Sequence, residues 1–241
     1  QQRVQRNASR DRLRREVEDS LRRLRTDVID LYQVHWPDPR VEMAETAETM
    51  QALLDEGKIR AIGVSNYEPK QMEAFRQHSA LHTVQPPYNL LERGIETELL
   101  PYCRERGLLV LAYGALCRGL LTGKVTADRS FSADDLRGSM DPKFKEPRRS
   151  QYLRAVDRLD ELARERFDRG VMELAVRWML DGEPRLIALW GARRPDQVEA
   201  IPRLEGWTVD SETREEIDRI LAEEITDPVG PEFMAPPARR L

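Results

Sequence analysis

Only two cysteines, Cys103 and Cys117, occur in the 241 residues. Two thiols cannot make a disulfide framework, so a reducing, cytoplasmic setting is expected. Long apolar runs are missing too. The best, Leu108 to Cys117, is about half the roughly 20 residues that a membrane helix needs, and Gly114 interrupts it. No cationic stretch leading into an apolar one opens the chain, which begins at Gln1, so no secretory signal and no membrane partner are expected. Charge of one sign is also lacking. Lys and Arg number 39 against 43 Asp and Glu, a formal net charge of −4, which argues against nucleic-acid binding driven by bulk electrostatics.

What remains is the composition of an ordinary globular protein. With 40% apolar and 34% charged residues the chain can bury a core and keep a solvated surface. Ser9 to Arg25 places Leu13, Val17, Leu21 and Leu24 at helical spacing, with Ser9 as N-cap. A strand is expected at Val28–Val34, a helix at Met43–Glu56 stopped by Gly57, and a strand at Lys58–Val64. Pro69 opens the next helix. Then follow a strand at Thr83–Gln85, a helix at Ile95–Arg106 and an apolar strand at Leu108–Tyr113. The connection from about Gly114 to Ser150 far exceeds the usual two to six or so residues of a βα loop, which marks it as a lid or clamp. Helices at Tyr152–Arg166 and Val171–Leu180, a strand at Leu186–Trp190, and helices near Pro195 and at Ser211–Glu223 close the pattern.

Alternating apolar strands and helices imply a parallel sheet covered by helices, the α/β class. An open doubly wound sheet would bring a Gly-rich phosphate loop after an early strand, and the chain contains no G-x-G-x-x-G. The better architecture is a (β/α)8 TIM barrel, of which the chain supplies about five βα units plus C-terminal helices. Residues 1–225 are expected to form this barrel domain. Residues 226–241, with Pro228, Pro231, Pro236 and Pro237, form an irregular tail.

A barrel carries its chemistry at the C-terminal ends of its strands. Those positions hold His35-Trp36, Ser65-Asn66, Gln85, Tyr113-Gly114 and Gly191-Ala192-Arg193. A histidine there can hydrogen-bond a substrate oxygen or move a proton. Ser, Asn and Gln offer the donors and acceptors that a carboxamide needs, and a tyrosine ring offers a face for stacking. The segment Gly114 to Lys124 supplies glycine backbone and two cations, Arg118 and Lys124, suited to a pyrophosphate. Arg193 and Arg194 before Pro195 suit a further phosphate.

With those residues in view the sequence resembles an aldo-keto reductase, in the branch of bacterial sugar, glycerol and short-aldehyde reductases. The resemblance is carried by DLYQVHWPD (Asp30–Asp38), GKIRAIGVSN (Gly57–Asn66), VQPPYNLLER (Val84–Arg93), LAYGALCRGLLTGK (Leu111–Lys124) and GARRPDQVE (Gly191–Glu199), in family order. It implies hydride transfer between NADP(H) and the carbonyl of an aldehyde, ketone or sugar. By position, the resemblance implies that His35 is the catalytic histidine and that Ser65, Asn66 and Gln85 hold the nicotinamide carboxamide. Tyr113 stacks on its ring, and Gly114, Leu116, Arg118, Gly119 and Lys124 match the pyrophosphate clamp. Gly191, Ala192, Arg193 and Gln197 match the segment around the adenosine 2′-phosphate, and Trp36 would line the substrate pocket. The family's catalytic Asp, Tyr and Lys belong to the first three βα units. By the same resemblance Gln1–Arg25 corresponds to the stretch after the third strand, so roughly 90 residues of barrel, at about 30 per βα unit, are expected to be missing from this chain. The alternative reading is a module that binds nucleotide or a partner without turnover.

No metal is expected. His78 and His82 share i,i+4 spacing, but no carboxylate or cysteine stands beside them to complete a site. Cys103 and Cys117 are expected to be packing residues.

Overall fold

A computed structural model describes residues 5–238 of the chain, so the outermost residues of the expected barrel domain and tail lie outside the described residues. They form two compact units: residues 5–86, 95–111 and 235–238 in one, 87–94 and 112–234 in the other.

The first unit alternates α1 (Arg10–Leu24), β1 (Tyr32–Val34), α2 (Met43–Asp55), β2 (Ile62–Ser65), α3 (Pro69–Arg76), β3 (Thr83–Gln85), α4 (Leu99–Arg106) and β4 (Leu109–Ala112), whose last residue belongs to the second unit. The strands pair in parallel in chain order, β1 with β2, β2 with β3 and β3 with β4. Leu13, Val17 and Leu21 of α1 are buried at i, i+4 and i+8, as their spacing predicts. Leu24 differs: it is exposed, because Arg25 turns left-handed and ends the helix there. The Ser9 hydroxyl does not cap α1 but donates to Asn7 Oδ1, and Glu45 of α2 accepts the Arg10 N–H instead. The helix expected from Ile95 begins at Leu99. Pro101 lacks an N–H and so fits only a first turn, which fixes the start close by.

β2 is buried along its length, and Gly63 is what lets it pack. A Cβ there would lie 2.3 Å from Thr83 Oγ1 and 2.7 Å from Gln33 Oε1. Those two side chains come from the register partners of Gly63 on either side, and Thr83 Oγ1 donates to Gln33 Oε1 at 3.3 Å.

The second unit contains α5 (Leu136–Ser139), α6 (Arg148–Phe167), α7 (Val171–Gly182), β5 (Leu186–Ala188) and α8 (Ser211–Glu224). Leu189, just past β5, donates to the Ala112 carbonyl at 2.8 Å. The start of α7 is tied down by two carboxylates, with Glu173 accepting the Gly170 N–H and Asp160 the Val171 N–H. The long connection is built of short pieces, among them 3-10 turns at Cys117–Thr122 and Pro142–Phe144. The helix expected near Pro195 is a single 3-10 turn, Pro195–Gln197. No helix among the described residues is long and apolar enough to cross a membrane.

Candidate active site

In the first unit the ends of three parallel strands converge. Ser65 closes β2, and its hydroxyl donates to the Gln85 carbonyl at 2.7 Å. Asn66 follows in the left-handed region (φ 61), which Asn tolerates better than most residues. Its Nδ2 donates to the His35 carbonyl and to Ser65 Oγ, each at 3.0 Å, and its own N–H reaches the Gln85 carbonyl at 3.2 Å. His35, Ser65, Asn66 and Gln85 are thereby bound into one cluster. The His35 imidazole is exposed and the Gln85 side chain half-buried, and neither makes a side-chain hydrogen bond among the described residues. Beside His35 stands Trp36, with the Arg6 guanidinium 5.2 Å from its ring centroid. Arg6 is fixed in turn by the Pro236 carbonyl at 2.7 Å.

In the second unit Tyr113 is half-buried. Burial, reinforced by Glu92 and opposed by Arg118, pushes its phenol up to about 12, so the ring stays neutral over the working range. The segment that follows bends sharply. Gly114 (φ 71), Cys117 (φ 44), Arg118 (φ 53) and Gly119 (φ 100) all have positive φ. For the non-glycine pair this costs on the order of 1–3 kcal/mol each. The Gly119 N–H is taken by the Leu116 carbonyl at 2.8 Å, so this glycine contributes close approach rather than a donor. Over it lies Arg137 of α5, whose Nη1 would stand 3.8 Å from a Cβ at Gly119.

The Arg118 guanidinium points inward. It meets Glu92 and Asp141, both buried, and the buried Lys143 ammonium stands 2.8 Å from Glu92 Oε1. Burial pushes the Glu92 carboxyl up, but Arg118 and Lys143 outweigh it, and the net direction is down. Lys124, by contrast, is exposed.

The third group lies after β5. Gly191, Ala192 and Arg193 are exposed, and the Gln197 Oε1 accepts the main-chain N–H of Arg193 at 2.5 Å and of Arg194 at 3.1 Å, closing the turn. The Arg194 side chain pairs with Asp196, whereas the Arg193 guanidinium has no hydrogen bond or ion pair among the described residues.

Sequence reasoning did not single out Glu92, Asp141, Lys143, Asn89 or Arg137. The signal for the first three was faint: acidic and basic side chains amid apolar neighbours, Leu90-Leu91-Glu92 and Asp141-Pro142-Lys143-Phe144. His82 Nδ1 accepts the Ile62 N–H at 3.0 Å, which occupies it. No group of three or more His, Cys, Asp or Glu side chains suited to a metal ion occurs among the described residues. Both cysteines are buried.

The aldo/keto reductase family model matches residues 1–222. The aldo-keto reductase YhdN of Bacillus subtilis (strain 168) is 57% identical over 234 residues, which are 97% of this chain and 70% of that protein. The NADH-specific methylglyoxal reductase of Escherichia coli (strain K12) is 35% identical over 197 residues, 80% of this chain and 59% of that one. Among solved structures, the glycerol dehydrogenase of Gluconobacter oxydans superposes with a TM-score of 0.86 at 51% identity, covering 95% of this chain and 69% of that one. An aldo-keto reductase from Klebsiella pneumoniae in complex with NADPH gives a TM-score of 0.67 at 29% identity, covering 87% of this chain and 64% of that one. The chain thus spans 59% to 70% of the length of the two curated relatives. With the strand-end residues and the parallel α/β order in place, the chain belongs to the aldo/keto reductase family, the TIM-barrel oxidoreductases that act on carbonyl groups.

Proposed function

We propose that the protein transfers a hydride between NADP(H) and the carbonyl of a small aldehyde, ketone or sugar, in the cytoplasm, with residues 1–225 as its barrel domain and 226–241 as the tail. The residues fit such a cofactor. A Gln85 carboxamide at a strand end, with no side-chain hydrogen bond among the described residues, suits another amide, and a neutral Tyr113 ring suits stacking on a heterocycle. A glycine-opened bend with Arg137 over it and Lys124 at its end suits a pyrophosphate.

When bound, the reduced nicotinamide supplies the hydride for the carbonyl carbon. Ser65, Asn66 and Gln85 hold its carboxamide and so fix which ring face is presented. Gly114, Leu116, Arg118, Gly119 and Lys124 hold the pyrophosphate, with Arg118 contributing main chain because its guanidinium is engaged by Glu92 and Asp141. Gly191, Ala192, Arg193 and Gln197 hold the adenosine end. His35 hydrogen-bonds the substrate carbonyl oxygen through its exposed imidazole and aligns the carbon for attack. Trp36, steadied by Arg6, forms a wall of the pocket.

The observation that carries NADP over NAD is the exposed Arg193 guanidinium, which has no hydrogen bond or ion pair among the described residues and feels Asp135 only through its charge, in the turn that Gln197 closes. A 2′-phosphate would give it a charge-assisted partner. The NADPH complex of the Klebsiella enzyme supports this choice, while the Escherichia coli relative is by its name specific for NADH. Parallel titrations with NADPH and NADH, followed by turnover on methylglyoxal with the reduced cofactors and on glycerol with the oxidised ones, test the reading. Tighter NADPH binding with consumption of a small carbonyl is expected. Preference for NADH would overturn the cofactor choice, and binding with no turnover on any carbonyl would leave a nucleotide-binding module.

A further inference from the structure

The second unit buries four charges together. Glu92, Asp141 and Lys143 are buried, and the Arg118 side chain is 13% exposed. Two positive and two negative groups balance, and each reaches at least one of the opposite sign. Ion pairs taken out of water gain little net stability over apolar packing, so such a cluster calls for a reason beyond holding the fold.

Its connections give the reason. Glu92 Oε2 accepts from Asn89 Nδ2 at 2.9 Å, and the same Nδ2 donates to the Gly114 carbonyl at 2.9 Å. Glu92 also binds the Arg118 guanidinium, which sits on a left-handed residue between left-handed Cys117 and Gly119. One carboxylate therefore grips both ends of the bend from Gly114 to Gly119. Asp141 holds Arg118 from the other side and fixes the start of its own turn by accepting the Lys143 N–H at 3.0 Å. Lys143 and Arg118 lie 5.6 and 5.3 Å from the Phe233 ring centroid, and Lys143 Nζ donates to the Gly230 carbonyl at 3.3 Å. A backbone held in the left-handed region at two non-glycine positions needs such an external hold.

We infer that Glu92 is the positioning residue of the pyrophosphate clamp: through Asn89 and Arg118 it sets the Gly114–Gly119 main chain in the shape that receives a dinucleotide, with Asp141 as its second anchor. The inference rests on the dinucleotide reading above. It predicts that the cluster governs affinity for ligands carrying a pyrophosphate and leaves the adenosine 2′-phosphate subsite untouched.

The test compares binding of NADPH and of adenosine 2′-monophosphate, which has no pyrophosphate, to the wild type, Glu92→Gln and the double variant Glu92→Gln/Lys143→Met. The unfolding midpoint of each unliganded protein is read alongside. Glu92→Gln is expected to weaken NADPH at least about tenfold and 2′-monophosphate by less than about twofold. The double variant restores charge balance, so its midpoint recovers while NADPH stays weak. It also carries the test if Glu92→Gln does not fold. NADPH affinity that is unchanged in the variants, or that recovers with the midpoint, overturns the inference. A wild type that binds no NADPH overturns the dinucleotide reading itself, which the wild-type titration distinguishes from the first outcome.

Discussion

The Ser65 hydroxyl donates to the Gln85 carbonyl at 2.7 Å and accepts from Asn66 Nδ2 at 3.0 Å, so one buried oxygen joins the ends of β2 and β3. Removing it leaves a strand-end carbonyl and an amide each short of a partner. Ser65→Ala is expected to cost about 1–3 kcal/mol of stability and to weaken NADPH binding about tenfold, because Asn66 Nδ2 then loses its Ser65 Oγ acceptor. Urea unfolding and a cofactor titration on the same preparation check both.

On the proposed reading, cofactor choice turns on Arg193. Arg193→Ala is expected to weaken NADPH by about 1.5–3 kcal/mol, the worth of a hydrogen bond to a charged group, and to leave NADH binding unchanged. An equal loss for both cofactors would remove Arg193 from the 2′-phosphate site.

Much of this was legible in the sequence, and the reason is local. Strand ends are marked where apolar runs meet polar or glycine residues, so His35, Ser65, Asn66, Gln85 and Tyr113 could be picked out one strand at a time. Boundaries were less legible. The expected strand Val28–Val34 is regular only over Tyr32–Val34, because Ile29 pairs with Ile59 through a single isolated bridge. The buried charge cluster left no periodic trace. Its members are Glu92, Arg118, Asp141 and Lys143, with Arg118 separated by 26 residues from Glu92 and by 23 from Asp141. Charged side chains in a long connection read as solvated surface until the chain folds them together.

Gly63 makes a separate demand on the core. A methyl group there would sit 2.3 Å from the buried Thr83 hydroxyl, with Gln33 Oε1 2.7 Å away on the other side. Gly63→Ala is expected to destabilise the protein by about 1–3 kcal/mol or more. Gly94→Ala, where nothing lies within 4 Å of a new Cβ, should cost far less. Thermal unfolding of the pair side by side decides.

Acid should expose the role of Glu92. Its carboxyl is held below the usual value because Arg118 and Lys143 outweigh burial. A depressed carboxylate contributes stability that is fully present above the unfolded-state value, about 4.3, and is lost as pH falls through the folded-state value. The difference in unfolding midpoint between wild type and Glu92→Gln should therefore be constant above about pH 5 and shrink below about 4.3. A gap that widens on acidification would contradict the assignment.

The most direct measurement is the turnover of His35→Ala, made together with its affinity for NADPH. If the exposed imidazole aligns the substrate carbonyl, kcat should fall by about 10²- to 10⁴-fold while the dissociation constant for NADPH stays within about twofold, since no cofactor contact is assigned to that ring. Unchanged turnover would take His35 out of the chemistry, and with it the carbonyl-reducing site placed at the ends of these strands.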